Sequence, residues 1–264
     1  PPKAGSLEVD ILGMSAKIEI KSKKDIDGMR ESGHICAKIL RKLIKMAQPG
    51  ATPFDINKEA ENLIELAGVE TAFRGYQKFP AVICASLNSI AVHGVPSKIP
   101  LKEGDIIGLD FGVISNGWYS DSAFTVGVGN ISYPASRLIH VTREALARGI
   151  GKAKVGNRIG DISSAIQFYI EKEGFSAIRE LVGHGIGKNL HEPPHVPNYG
   201  VTGSGEKIVD GMVIAIEPII SAGSPNIRES KDGFGFETTD GSLVAHFEHT
   251  IAITTAGTEI LTKI

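Results

Sequence analysis

Three acidic residues end or interrupt apolar runs of strand length. Asp110 closes Asp105-Ile106-Ile107-Gly108-Leu109, and Glu217 closes Met212-Val213-Ile214-Ala215-Ile216. Glu248 separates Leu243-Val244-Ala245-His246-Phe247 from Thr250-Ile251-Ala252-Ile253. An ionised carboxylate in a buried strand is costly unless a partner replaces its lost hydration. Asp121 and His184, the latter inside Gly183-His184-Gly185-Ile186-Gly187, extend the set. Glycines let backbone approach a site closely; read alone, His184 fits a nitrogen ligand or a structural histidine. Four carboxylates and one imidazole form an oxygen-rich donor set, unlike the thiolate-rich set of a structural zinc site. Such a set favours Mn, Fe or Co, with Zn compatible. Four carboxylates can hold two ions about 3.5–4 Å apart, a pair able to activate a bridging water. The chemistry indicated is hydrolysis.

The elements that must position these residues are partly legible. Asn116-Gly117, between Val113-Ile114-Ser115 and Trp118-Tyr119, is a hairpin-turn signal. With that dipeptide as the turn centre, 110 pairs with 123 and 112 with 121, and Asp110 and Asp121 share one face on a diagonal. A turn centred one residue earlier pairs them directly. Either register brings two carboxylates together, and two such charges need a cation or a shared proton. The alternative is two acids facing solvent. Glu217 precedes Pro218, which biases it to extended backbone. In the last strand, alternation puts Glu248 and His246 on one face and His249 on the other. Neither of those histidines is assigned as a ligand.

Ile18 and Ile20 suggest a short strand. Ser22 and Asp25 then form a capping box for a helix whose apolar spacing runs to about Met46. Pro49-Gly50 stops it. A second helix runs from about Pro53 to Ala67 with Gly68 at its end, and strand-like sequence follows to about Val128. The pattern then restarts: a helix over about Pro134–Ala153, and another over about Ile159–Glu173 followed by Gly174. Gly50, Asp55-Ile56 and Gly68 recur as Gly156, Asp161-Ile162 and Gly174, a constant offset of 106 residues. Gly104-Asp105-Ile106-Ile107 meets Asp210-Gly211-Met212-Val213 at nearly the same offset. We read two related helix–helix–strand halves, about 23–128 and 134–254, within one catalytic domain spanning 14–264. Residues 1–13 match no structural pattern and are expected to lie outside the fold. The implied class is α+β, with both halves contributing to one antiparallel sheet covered by helices on one face.

A formal net charge of −2 and a pI near 6.5 supply no basic footprint for nucleic acid. Lys17, Lys21, Lys23 and Lys24 form the only dense basic stretch and read as a solvated face. Two cysteines, Cys36 and Cys84, do not make a disulfide scaffold and suit a reducing compartment. No apolar run reaches the roughly 18 residues of a membrane span.

From about Ile18 to Ile264 the chain resembles the type I methionine aminopeptidases, a pita-bread-fold family. The resemblance rests on Tyr76-Gln77-Lys78-Phe79-Pro80, Cys84-Ala85-Ser86-Leu87-Asn88, His93-Gly94-Val95-Pro96 and Gly108-Leu109-Asp110-Phe111-Gly112. It continues through Ser120-Asp121, Gly183–Gly187, His191-Glu192-Pro193-Pro194, Ile216-Glu217-Pro218 and Glu248-His249-Thr250. The resemblance implies that Asp110, Asp121, His184, Glu217 and Glu248 hold two divalent ions, with Asp121 and Glu248 bridging. It implies that Glu217 doubles as proton shuttle for the attacking water, and that His93 and His191 contact the scissile peptide and stabilise its tetrahedral intermediate. Without the motifs, His93 reads as a turn histidine and His191 as a loop histidine. Tyr76, Phe79, Cys84, Leu190 and Phe234 match the pocket for a methionine side chain, although by themselves they read as core.

Leu190 and Phe234 stand where the bacterial pattern often has Phe and Trp, and Phe73 where some members have Cys. These departures concern pocket shape and leave the ligand set intact. The stretch from His191 to Glu217 lacks the helical insertion of type II enzymes, and no cysteine-rich extension precedes the catalytic part. The resemblance is therefore to the bacterial style, and it implies a cytoplasmic monomer that removes initiator methionine from nascent chains with a small second residue. Work near the ribosome follows from that role alone. Two rival readings are a proline-directed peptidase on the same fold, whose members usually carry a substantial N-terminal domain, and a binding protein that has lost catalysis.

Overall fold

The computed structural model describes residues 17–263. The proposed extension at residues 1–13 lies outside them. Helix α1 (Lys23–Leu43) starts at Ser22, whose hydroxyl accepts the Asp25 N–H while Asp25 accepts the Ser22 N–H at 2.9 Å. The expected continuation to Met46 is instead a 3-10 turn, Ile44–Met46. Helix α2 (Pro53–Ala67) is capped by Thr52 and ends at Gly68 with φ 65°, a left-handed turn that glycine adopts without a Cβ clash.

Three strands follow that bear on the site: β1 (Cys84–Leu87), β2 (Ile106–Ser115) and β3 (Trp118–Gly127). Helices α3 (Tyr133–Lys152) and α4 (Ile159–Lys172) repeat the helix pair. Strands β4 (Gly183–Gly185), β5 (Glu192–Val196), β6 (Met212–Ile216), β7 (Ile219–Ser221), β8 (Val244–His246) and β9 (His249–Thr254) complete the frame around the site.

Alternation along the strands separates core from chemistry. On β2, Ile107, Leu109, Phe111 and Val113 pack with Leu40 and Leu43 of α1 and Ile56 of α2. On β6 and β9, Ile214, Ile216, Ile251 and Ile253 pack with Leu138 of α3 and Ile162 and Ile166 of α4. Residues at the opposite parity, Asp110 on β2 and Glu217 just beyond β6, are therefore turned away from the helices. The helix layers thus bury one side of the strands and leave the acids on the other.

Every strand pairing is antiparallel, but the described strands divide into four hydrogen-bonded sheets rather than one continuous ladder. Pro218 interrupts the run between β6 and β7, and Glu248 that between β8 and β9. Residues 122–124 and 247–248 meet at a seam: Glu248 N–H donates to Ala123 C=O at 2.9 Å, and Ser122 Oγ to Glu248 C=O at 2.8 Å. Phe124 and Phe247 form an isolated bridge there.

Two N-terminal expectations are corrected. No strand forms at Ile18–Ile20; Ile20 is half exposed, and the following residue makes one backbone bond, Lys21 N–H to Gly211 C=O at 2.8 Å. Lys21 is not solvated. It is 6% exposed, and its Nζ lies 2.5 Å from Glu192 Oε2. The ammonium turns inward, while Ile18 packs against the core and Ile20 faces out.

Candidate active site

The hairpin adopts the register expected from Asn116-Gly117. Cα partners run 110↔123 and 112↔121, and Asn116 (φ 50°) and Gly117 (φ 75°) are both left-handed, as a type I′ turn requires. Asp110 and Asp121 consequently share one face of the hairpin, where the Asp110 charge helps raise Asp121. Cys84 lies directly across from Asp110 on β1.

His184 is held between β5 and β6, paired with His195 and Ala215. Its Nδ1 sits 2.9 Å from the Gly185 carbonyl. A carbonyl only accepts, so Nδ1 carries the proton and the neutral ring presents the Nε2 lone pair. That nitrogen is 3.7 Å from Glu217 Oε1. One donor atom each from Asp121, His184 and Glu248 lie within 4.8 Å of one another, and all three residues are buried.

The electrostatics of this cluster are those of acids without counter-ions. Burial, then the Glu217 charge, pushes Asp110 up to about 7. Burial raises Glu217 to about 8. Asp121 and Glu248 are pushed upward by burial and by their acidic neighbours. Asp110 Oδ1 and Glu248 Oε1 are buried without a hydrogen-bond partner. Among the described residues no lysine or arginine pairs with any of the four acids. Orphaned oxygens, an imidazole lone pair and an uncompensated set of carboxylates fit divalent cations.

Two more histidines border the cluster. His93 sits in a left-handed turn (φ 57°) with its ring against Phe236, centroids 6.2 Å apart. A Cβ on the adjacent Gly94 would come 2.5 Å from the Ala85 carbonyl of β1, so glycine is what lets this turn lie on the strand. The His191 ring is 4.3 Å from that of His184, and its Nδ1 is 2.6 Å from Tyr76 Oη. Solvent reaches both rings, yet surrounding protein lowers His93 to about 4 and His191 to about 3. Both are neutral at pH 7.

Phe79, Cys84, Leu190 and Phe234 belong to one apolar cluster that also contains Phe73, Val95 and Ile186. Phe79 and Phe234 meet edge to face at 5.7 Å. Tyr76 joins this wall to the histidines through His191. Burial and the nearby Asp110 raise the Cys84 thiol well above its ordinary value, so it stays protonated. Every residue singled out by sequence therefore lies in the cluster or along its border. His249 does turn away from Glu248, toward Thr262 Oγ1 at 3.0 Å and the Phe124 ring. His34 and His140 sit exposed on α1 and α3.

Sequence reasoning missed two features. The Lys21–Glu192 pair had no local signal, because its members are 171 residues apart. Glu192 Oε1 also accepts the N–H groups of Lys188 (2.8 Å) and Asn189 (3.0 Å), closing the loop that carries His191. The second is His246, whose placement on the Glu248 face was legible but whose approach to Glu217, Nε2 to Oε2 at 3.4 Å, depends on how β6 and β8 lie together.

Comparison with known proteins agrees with this geometry. The sequence profile of metallopeptidase family M24 matches residues 27–255. A methionine aminopeptidase of Clostridium perfringens is 46% identical over 247 residues, covering 94% of this chain and 99% of that relative. The crystal structure of methionine aminopeptidase from Thermotoga maritima superposes with a TM-score of 0.92 at 42% identity, covering 94% of this chain and 100% of that one. The prolidase from Pyrococcus horikoshii matches at a TM-score of 0.75 and 25% identity, with only 63% of its length covered. The chain belongs to metallopeptidase family M24 and, within it, to the methionine aminopeptidases, with their α+β pita-bread fold.

Proposed function

We propose that this protein hydrolyses the peptide bond after an N-terminal methionine, acting on nascent proteins and peptides with a small second residue. The observation that carries the reading is the buried carboxylate cluster with His184, bordered by two neutral histidines and an apolar wall. Asp110, Asp121, His184, Glu217 and Glu248 would hold two divalent ions. Co, Mn and Fe suit the donor set best, and Zn is compatible. Such ions supply Lewis acidity that acidifies a water and polarises the scissile carbonyl.

The remaining steps belong to the side chains. Glu217 takes a proton from the water as its oxygen bonds to the carbonyl carbon, then gives that proton to the departing amine as the C–N bond breaks. Free methionine and the shortened chain result. With the Tyr76 hydroxyl, 2.6 Å away, donating to His191 Nδ1, the ring would carry its proton on Nε2. His93 offers a second neutral imidazole. N–H groups of this kind, set in place before reaction, stabilise charge that develops on the substrate oxygen. Phe79, Leu190, Phe234, Cys84 and Tyr76 receive the methionine thioether, a soft group that packs well against aromatic rings.

We assign residues 14–264 to one catalytic domain of two related halves, acting as a cytoplasmic monomer on chains leaving the ribosome. Among the described residues no helix is long and apolar enough to cross a membrane. The test is methionine release from Met-Ala-Ser by protein loaded with Mn, Fe, Co or Zn, with metal content measured. Turnover is expected with at least one ion and a content approaching two per chain. Silence with all four ions rejects the proposal, and cleavage of Xaa-Pro substrates in its place supports a proline-directed peptidase.

A further inference from the structure

His246 has no part in the ligand set or the substrate contacts assigned above. It is 5% exposed, and its Nε2 is buried with no hydrogen-bond partner. That nitrogen points at acids: it lies 3.4 Å from Glu217 Oε2 and 4.0 Å from Glu248 Oε2. The residue's backbone is fixed at both ends. His246 N–H donates to Thr125 Oγ1 at 2.8 Å, and Thr125 Oγ1 donates back to the His246 carbonyl at 2.9 Å. Its Cα is in register with Ile219 of β7, just beyond the Glu217-Pro218 break. Strand pairing therefore sets the ring's distance from Glu217.

With divalent ions bound, Glu217 and Glu248 are ionised, and carboxylates only accept hydrogen bonds. A buried ring nitrogen between two of them must carry the proton if the contact is to be favourable. We infer that His246 is a positioning residue: its Nε2–H donates to Glu217 Oε2 and holds that carboxylate in the orientation its ligand and proton-transfer roles require. With His184 Nε2 3.7 Å from the other oxygen, Glu217 is bracketed by two imidazoles of opposite character. One presents a lone pair to a cation; the other presents a proton to the acid. The inference rests on the proposed role of Glu217.

Three substitutions separate a donor from a filler. His246→Leu keeps bulk and removes the donor. His246→Gln places an amide N–H near the position of Nε2, whereas His246→Asn reaches only as far as Nδ1. Orienting partners of metal-binding residues typically govern affinity or rate by 10–100-fold. Leu and Asn are therefore expected to lower kcat on Met-Ala-Ser about tenfold or more with KM within about twofold, and to weaken Co(II) binding in calorimetry. Gln should recover kcat to within about threefold of wild type. Should Leu fail to fold, the Gln–Asn contrast still decides. Equal activity of Gln and Asn overturns the inference, as does wild-type behaviour of Leu. Loss of one whole Co(II) equivalent in His246→Gln overturns it too, because the ring would then be a metal ligand. If the wild type cleaves no methionyl peptide, the proposed function fails, while Co(II) affinity and visible absorption across the three variants still test the His246–Glu217 contact.

Discussion

Glu217 is the residue at which structure and chemistry meet most directly, since it ends a wholly buried strand and faces two imidazoles with no cationic side chain beside it. Replacing it with glutamine keeps the shape and removes both a charge and a base. Positioned acid–base groups contribute about 10²–10⁴-fold to rate. Glu217→Gln should therefore lower kcat by at least about 10²-fold at saturating metal, while circular dichroism stays that of the wild type. The metal-free variant should melt above the metal-free wild type, because one uncompensated acid is gone from the cluster. A variant within threefold of wild-type kcat would remove Glu217 from the reaction. The acids themselves were legible because a charge ending an apolar strand violates the strand's own pattern. Their division of labour was not, and only the motif resemblance suggested it.

At the scale of elements, local chemistry was read well. The Ser22–Asp25 box, the Gly68 stop of α2 and the Asn116-Gly117 turn each depend on a few neighbouring residues, and each forms as expected. Long-range contacts were not legible. Lys21 sits among lysines, and nothing nearby reveals that it turns inward to Glu192. That pair braces the loop bearing His191 against the segment entering α1, helped by Gly187, where a Cβ would come 2.5 Å from Lys21 Cε. Removing one member of a buried ion pair leaves the other charge uncompensated and costs about 3–5 kcal/mol. Lys21→Met is expected to lower stability by that order in urea titration and to depress kcat through the displaced loop. The double variant Lys21→Met with Glu192→Gln should recover much of the stability. A Lys21→Met protein as stable as wild type would show that the ion pair does not hold the loop.

Over the whole molecule, the helix layers supply the stability against which the acid cluster is held. In metal-free protein, Asp110 (about 7) and Glu217 (about 8) keep protons that the unfolded chain has already released. Groups with raised folded values lose their stabilising contribution as pH rises through those values. The histidines act oppositely, since His184, His191 and His246 are lowered to about 4, 3 and 3, and below their ordinary 6.5 it is the unfolded chain that takes up protons. The two trends oppose each other below about 6.5, and the acids alone remain above it. Metal-stripped protein should thus lose melting temperature between about pH 6.5 and 8, and the increment gained on adding metal should widen over that interval. Differential scanning calorimetry at pH 6.5 and 8, with and without Mn, reads both effects; an increment that does not change with pH would contradict them.

The seam where Ser122 reaches Glu248, 126 residues later, also bears on the order of synthesis. A chain emerging from the ribosome completes α1, α2 and the aspartate hairpin early, but the acids meet their partners only after Glu248 has been made and laid against β3. Until then Asp110 and Asp121 have each other and water. A chain truncated before Glu248 retains most of both helix layers and lacks the residue that closes the seam. On the proposed ligand set, ion capture would wait on completion of the chain, and a chain truncated before Glu248 is expected to bind fewer ions than the full one.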